Sequence, residues 1–135
     1  MKWYIASRTD NKDLVKSLIR DLKSNGHEIA YDWTNLGSLK PFSDNAEKCQ
    51  KVAYDISNAI KDVDVFLLIS DLGGTDMFVE LGIAIAYFMK NNKPKIYVVG
   101  QYNKRSLMHL HPSITHCRLL KDILIKEGIT SDLSY

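Results

Sequence analysis

The sequence has little that would place the protein in a specialised class. Its 135 residues include two cysteines and three prolines, and its formal net charge is +2. Cys49 and Cys117 lack the spacing of a zinc or redox site, so we expect neither a bound metal nor a redox motif. A nearly balanced charge, without a basic run and interleaved aromatics, argues against a dedicated nucleic-acid binder.

Long hydrophobic runs are also missing. The apolar stretch over 60–69 is interrupted by Lys61, Asp62 and Asp64, so it is unsuited to span a bilayer. The N-terminal segment over 1–6 is too short, and its flanking residues are too polar, for a signal peptide. Because 45% of the residues are hydrophobic and 25% charged, the composition is that of an ordinary globular chain. We expect one cytoplasmic domain over 1–135, with no membrane partner.

Short β-like runs alternate with helical stretches along the chain. This alternation predicts an α/β fold, a three-layer flavodoxin- or Rossmann-like sandwich whose mainly parallel five-stranded sheet carries helices on both faces. The near-continuous apolar run over 63–69 predicts a central strand buried on both faces. The predicted strands are 3–6, 28–33, 63–69, 95–99 and 114–116, and the predicted helices are 11–25, 45–62, 77–90 and 118–126. Residues 35–44, with Gly37 and Pro41, are predicted to form a loop.

Glu80 is the most informative residue, since it is the one charge between Asp76 and Lys90 in a helix that is apolar on all sides. A glutamate is seldom fully buried without a partner, and an unpaired buried carboxylate tends to take up a proton. The start of a helix favours its ionised form, whereas apolar walls disfavour it. Such a carboxylate suits a nucleophile that attacks an electron-poor carbon. The alternative is an ordinary ion pair or a partly wet helix face.

The loop before this helix supplies a second carboxyl group and two glycines. Asp71 ends the central strand, and Gly73 and Gly74 allow the backbone to approach a ligand closely. Thr75 or Asp76 would cap the helix. The loop has neither the Walker A nor the GxGxxG pattern. Two carboxyl groups in unlike environments are typical of glycosyl-transfer chemistry, one as nucleophile and one as acid.

Other polar residues follow the predicted strands, at the sheet edge where ligands bind in folds of this kind. Ser7 and Arg8 follow the first strand. Trp33 ends the second strand and would either stack on a nucleobase or pack half-buried in the core. The histidines are too irregularly spaced for a metal site. Lys12 is assigned to the wet face of the first helix, and Cys49 to the core.

Five segments, in order, resemble the nucleoside 2-deoxyribosyltransferase family, including its relatives that hydrolyse nucleoside monophosphates. The segments are YIASR at 4–8, GHEI at 26–29, DISNAIKDVDV at 55–65, Asp71 with GT at 74–75 and VELGIA at 79–84, and HPSITH at 111–116. The resemblance covers about residues 3 to 126. Its most specific part is the Gly-Thr…Glu-Leu-Gly segment.

The resemblance implies catalytic roles for several residues. Glu80 matches the nucleophile, which attacks C1′ of a 2′-deoxynucleoside and forms a covalent deoxyribosyl enzyme. Asp71 matches the acid in the preceding loop, although the long spacing to Glu80 makes Asp76 the alternative. Tyr4 matches a tyrosine that hydrogen-bonds the nucleophile.

The resemblance also implies binding roles. Asp55 matches an aspartate on the second helix, with Asp62 as its competitor. Ser7 and Arg8 match the residues that hold the 5′-phosphate in the hydrolases, and the guanidinium fork suits phosphate, while a solvated surface arginine is the alternative. The expected substrate-binding residues are Ser7, Arg8, Trp33, Gly74, Thr75, Asp76 and Met77.

The leading hypothesis is an enzyme that cleaves the N-glycosidic bond of a (2′-deoxy)nucleoside or its 5′-monophosphate through a covalent glycosyl-Glu80 intermediate. The sugar would pass to another base or to water, with no cofactor. The resemblance also implies a homo-oligomer, a dimer or larger. Residues 131–135 would either contribute to a neighbouring site or form a frayed tail. The alternatives are a non-catalytic nucleotide-binding or sensor module and an NAD-type glycosidase.

Overall fold

A five-stranded parallel sheet forms the centre of the computed structural model, which describes residues 1–132. Its strands are β1 (Lys2–Ala6), β2 (Glu28–Ile29), β3 (Val65–Ile69), β4 (Lys95–Val99) and β5 (Ile114–Cys117). The order across the sheet is β2-β1-β3-β4-β5, and all neighbours are parallel. The predicted fold class is therefore confirmed. Of residues 131–135, which were expected to contribute to a neighbouring site in an oligomer, residues 133–135 lie outside the described part of the chain.

Four helices cover the two faces of the sheet. They are α1 (Lys12–Ser24), α2 (Ala46–Ile60), α3 (Asp76–Asn91) and α4 (Leu120–Lys126). Because side chains alternate along a strand, Trp3 and Ile5 of β1 pack in the core with α1 and α4, whereas Tyr4 and Ala6 pack in the core with α2 and α3. None of the helices described here is long and apolar enough to cross a membrane.

The position of β3 explains where the polar loops meet. It lies between β1 and β4, with Ala6 opposite Leu68, and residues 65–68 are buried as the apolar run predicts. Since the strands are parallel, the segments that follow β1 and β3 leave the sheet side by side at one edge. This carboxyl edge brings Ser7 close to the loop that leads into α3.

The second strand is shorter than predicted. The prediction of a strand over 28–33 is wrong beyond Ile29, since a 3-10 turn occupies Trp33–Asn35. The Asp32 carboxylate accepts hydrogen bonds from the backbone N–H of Thr34 at 3.0 Å and from the Thr34 hydroxyl at 2.5 Å. An aspartate that binds the backbone two residues further on favours a turn over continued pairing.

The apolar composition of helix α3 suggested burial on all sides, but only one side of the helix is buried. Leu81, Ala84 and Ile85 are buried against the sheet, whereas Val79 and Met89 are 67% and 71% exposed. A helix that lies on one face of a sheet covers it with one stripe of residues. The apolar residues of α3 outnumber the positions on that stripe, and the excess faces outwards.

A nearly buried carboxylate ties the end of α4 to β4. The Glu127 side chain is 4% exposed, accepts a hydrogen bond from the Tyr97 hydroxyl at 2.5 Å and pairs with the Lys95 ammonium at 3.1 Å. Burial and the neighbouring Glu127 carboxylate raise the pKa of Tyr97, so the phenol keeps its proton and remains a donor.

We expect Tyr97→Phe to lower the free energy of unfolding by about 1–3 kcal/mol, because Glu127 loses a hydrogen-bond donor in a site that water barely reaches. Urea unfolding measures this change. Tyr54→Phe is the matched control, since Tyr54 is 71% exposed, and it should shift stability by less than about 0.5 kcal/mol. Equal stability of Tyr97→Phe and the wild type would contradict the assigned tie.

Candidate active site

A cleft of about 650 Å³ opens at the carboxyl edge of the sheet. This volume is within the range of about 300–1,000 Å³ that small-molecule sites occupy. The start of α1, the segment 36–42, α2 and the first turns of α3 form its walls. The lining residues are Ser7, Thr9, Lys12, Trp33, Leu36, Gly37, Ser38, Leu39, Lys40, Phe42, Cys49, Val52, Ala53, Ile56, Ser57, Asp76, Met77, Val79, Glu80 and Ile83.

Glu80 lies in the second turn of α3 and lines this cleft. Among residues 1–132, no lysine or arginine forms an ion pair with it. Burial raises the pKa of Glu80 to about 8, the nearby Tyr4 hydroxyl opposes this rise, and Asp76 adds to it. The carboxyl group is therefore poorly solvated and lacks the ordinary ion pair that was the alternative to a functional role.

The Tyr4 phenol is buried close to Glu80. Its ring stacks on Phe66 with 5.7 Å between centroids, and its hydroxyl has no hydrogen-bond partner within the described chain. The two groups affect each other's pKa, but they do not reach hydrogen-bond geometry. Burial, with Glu80 second, raises the pKa of Tyr4, so the phenol keeps a proton that it can donate. A buried hydroxyl without a partner costs about 1–3 kcal/mol, which suggests a functional reason for its placement.

Asp76 is the second carboxyl group in the cleft. It is the first residue of α3, four positions before Glu80, so the two side chains share a face of the helix. Its negative charge contributes to the raised pKa of Glu80. The structure thus brings Asp76 and Glu80 together in one wall.

Asp71, the first candidate for the acid, is not in the lining. Its carboxylate accepts the Gly73 backbone N–H at 3.1 Å and the Arg8 guanidinium at 3.5 Å. These contacts hold the pKa of Asp71 below its usual range. Because Asp76 lines the cleft beside Glu80 and Asp71 does not, the geometry favours Asp76 as the acid.

Asp55 also lies outside the lining. Its carboxylate binds the Lys51 ammonium at 2.6 Å and raises the pKa of the neighbouring Tyr31 phenol, for which burial is the larger cause. Its competitor Asp62 follows the carboxyl end of α2 and precedes β3, which puts it at the opposite edge of the sheet. The catalytic role of either aspartate stays a prediction.

Two of the expected binding residues lie in the cleft beside β1. The Trp33 indole N–H donates to the Ile5 carbonyl oxygen at 2.7 Å, which fixes the ring in the wall of the cleft. Ser7 accepts a hydrogen bond from the Asn11 side chain at 2.9 Å, so its own hydroxyl proton is available to a ligand. Met77 lines the cleft as well, whereas Arg8, Gly74 and Thr75 do not.

Several residues that line the cleft were not predicted from the sequence to do so. Cys49 was expected in the core, but it is half-buried and lines the cleft with Val52 and Ile56 of the same helical stripe. Lys12 lines the cleft instead of lying only on the wet face of α1. The segment 36–42 contributes six lining residues. The signal for it was its length, because long connections in compact domains are often functional.

His109 serves the loop after β4 rather than the cleft. It is fully buried, and its ring contacts the Ser70 hydroxyl at 3.0 Å and the Ser106 hydroxyl at 2.6 Å. Burial lowers its pKa, with Arg105 as a second cause. No cluster of three or more metal-ligating side chains exists within residues 1–132.

Comparison with solved structures finds this fold in the Clostridium botulinum CMP N-glycosidase BcmB. The superposition has a TM-score of 0.61 and covers 95% of this chain and 98% of that chain, at 21% sequence identity. The chain has a nucleoside 2-deoxyribosyltransferase-like fold. At this identity the similarity establishes the fold alone. No family model and no curated protein matches the sequence.

We expect Glu80→Gln to be more stable than the wild type at pH 8 and equally stable near pH 4. An unfolded glutamate ionises near about pH 4.3, whereas the folded Glu80 has a pKa of about 8. Between these values the native state holds the extra proton, so the wild type loses stability as the pH rises. Glutamine does not ionise and avoids this loss.

Urea unfolding at several pH values measures the difference. Glu47→Gln, on the exposed side of α2, is the matched control and should follow the wild type throughout. Parallel stability curves for Glu80→Gln and the wild type would show that the Glu80 carboxyl is ordinarily solvated.

Proposed function

We propose that the protein cleaves the N-glycosidic bond of a (2′-deoxy)nucleoside or its 5′-monophosphate, with Glu80 as the nucleophile. The observation that carries the proposal is the unpaired Glu80 carboxyl at the cleft, with the partnerless Tyr4 hydroxyl close to it. The fold shared with a CMP N-glycosidase supports the same reaction class.

In the first half-reaction, a carboxylate oxygen of Glu80 attacks C1′ of the sugar. The bond between C1′ and the base nitrogen breaks, and its electron pair leaves with the base. The Asp76 carboxyl group, which shares the cleft wall with Glu80, is placed to donate a proton to the departing base. A hydrogen bond from the Tyr4 hydroxyl to Glu80 would favour the ionised nucleophile.

In the second half-reaction, a water oxygen attacks C1′ of the glycosyl-Glu80 ester and the Glu80 carboxylate leaves. The Asp76 carboxylate accepts the proton of that water, which restores both groups. An acceptor base could replace water, and the sugar would then be transferred rather than hydrolysed. Both outcomes use the same two carboxyl groups.

The walls of the cleft match the parts of such a substrate. Trp33 and the apolar side of α2 offer surfaces on which a base can stack or pack. Lys12 and Lys40 bring two positive charges that would balance a 5′-phosphate. These features support a nucleotide over an uncharged nucleoside.

A nucleotide-binding module without turnover is the second candidate. It is favoured by the raised pKa of Glu80, because a carboxyl with a pKa of about 8 is mostly protonated at pH 7 and is then no nucleophile. Tight binding of a nucleotide with no base released over hours would support this reading.

The deciding experiment incubates the protein with a panel of nucleosides and 5′-monophosphates, with and without an acceptor base, and follows free base by chromatography. Glu80→Gln should lower base release at least about a thousandfold, since the covalent step loses its nucleophile. Asp76→Asn should lower it about a hundredfold or more, and Asp71→Asn far less.

Glu47→Gln is the control and should retain wild-type activity. Full activity of Glu80→Gln would overturn the proposed mechanism. A greater loss in Asp71→Asn than in Asp76→Asn would reassign the acid to Asp71. Release of base without an acceptor would identify a hydrolase, and release only with an acceptor would identify a transferase.

A further inference from the structure

Arg8 joins two loops at the carboxyl edge of the sheet. Its guanidinium lies 3.5 Å from the Asp71 carboxylate, in the loop between β3 and α3, and 3.1 Å from Asp10 in its own loop. The Asp10 side chain is 70% exposed, so solvent screens that pair strongly. The link to Asp71 is the one that spans the two loops.

The loop between β3 and α3 is shaped to receive this side chain. A Cβ added at Gly73 would stand 3.0 Å from Cζ of Arg8, and one at Gly74 would stand 3.2 Å from its Cγ. At Gly74 the added Cβ would also stand 2.7 Å from Cε of Met77, and the φ of +101° disfavours other residues. The Arg8 side chain therefore packs closely on the backbone of this loop.

The two joined loops lead directly into the cleft. Ser7 precedes Arg8, and Asp76 and Met77 follow Gly74, and all three line the cleft. Asp71 also accepts the Gly73 N–H at 3.1 Å, which holds the same loop from within. A shift of this loop would move the first turn of α3, which carries Asp76.

We propose that Arg8 is a positioning residue that acts with Asp71 to fix the loop before α3, and thereby Asp76 and Met77, rather than a ligand of the substrate phosphate. The catalytic consequence rests on the proposed function. The guanidinium already contacts two carboxylates and is absent from the lining, where Lys12 and Lys40 supply the positive charge.

The kinetic test compares CMP with cytidine, which lacks the 5′-phosphate. Arg8→Ala and Asp71→Ala should each lower kcat about tenfold, by the same factor on both compounds and with little change in KM, because small displacements of a reacting group cost rate. The double variant should be no slower than either single variant, since both remove one link. Arg8→Lys should restore part of kcat.

Arg20→Ala and Glu47→Ala, both at exposed positions, are the matched controls and should keep wild-type kcat. A loss confined to CMP and expressed as a raised KM would overturn the proposal and make Arg8 a phosphate ligand. Losses that multiply in the double variant would also overturn it, because the two residues would then act independently.

A second measurement does not depend on turnover. Backbone amide signals of Gly73, Asp76 and Met77 should shift in the same direction in Arg8→Ala and Asp71→Ala, and stay unchanged in the two controls. Unchanged signals in Arg8→Ala would overturn the link even if the enzyme is active. If the wild type released no base but the shared shifts appeared, the proposed function would fail and the link between the loops would stand.

Discussion

The poorly solvated carboxyl group of Glu80 is the constraint on which the account of the cleft depends. Helix α3 must be apolar to cover the sheet, and Glu80 sits on it where the cleft meets the buried Tyr4. The resulting pKa of about 8 is a cost to folding at neutral and higher pH. Strained or poorly solvated groups of this kind concentrate at functional sites, which is why the carboxyl defines the proposed chemistry.

The rest of the edge follows from how the sheet is covered. α2 buries Ile60 near its end, while Cys49, Val52 and Ile56 nearer its start form a wall of the cleft. The segment 36–42 forms much of the opposite lining. The link from Arg8 to Asp71 then sets how the loops after β1 and β3 stand relative to each other. The cleft thus lies where helices no longer cover the sheet and loops form the walls.

The sequence predicted what depends on local periodicity. The continuous apolar run of β3 and the isolation of Glu80 are properties of neighbouring residues, and both have clear structural counterparts. Periodicity shows which residues share a helix face, but not whether that face meets a core or a cleft, so Cys49 and Lys12 were misplaced. The contact between Arg8 and Asp71 joins residues 63 apart, a distance over which no local pattern carries information.

The central claim is that Glu80 becomes covalently bound to the sugar. The most direct measurement is mass spectrometry of peptides from enzyme that has been acid-quenched during turnover of its best substrate. Wild-type enzyme should carry the sugar, or its 5′-phosphate, on the peptide that contains Glu80, and Asp76→Asn should carry it too. Turnover of substrate with no adduct at Glu80 in either protein would contradict the account and point to direct attack by water.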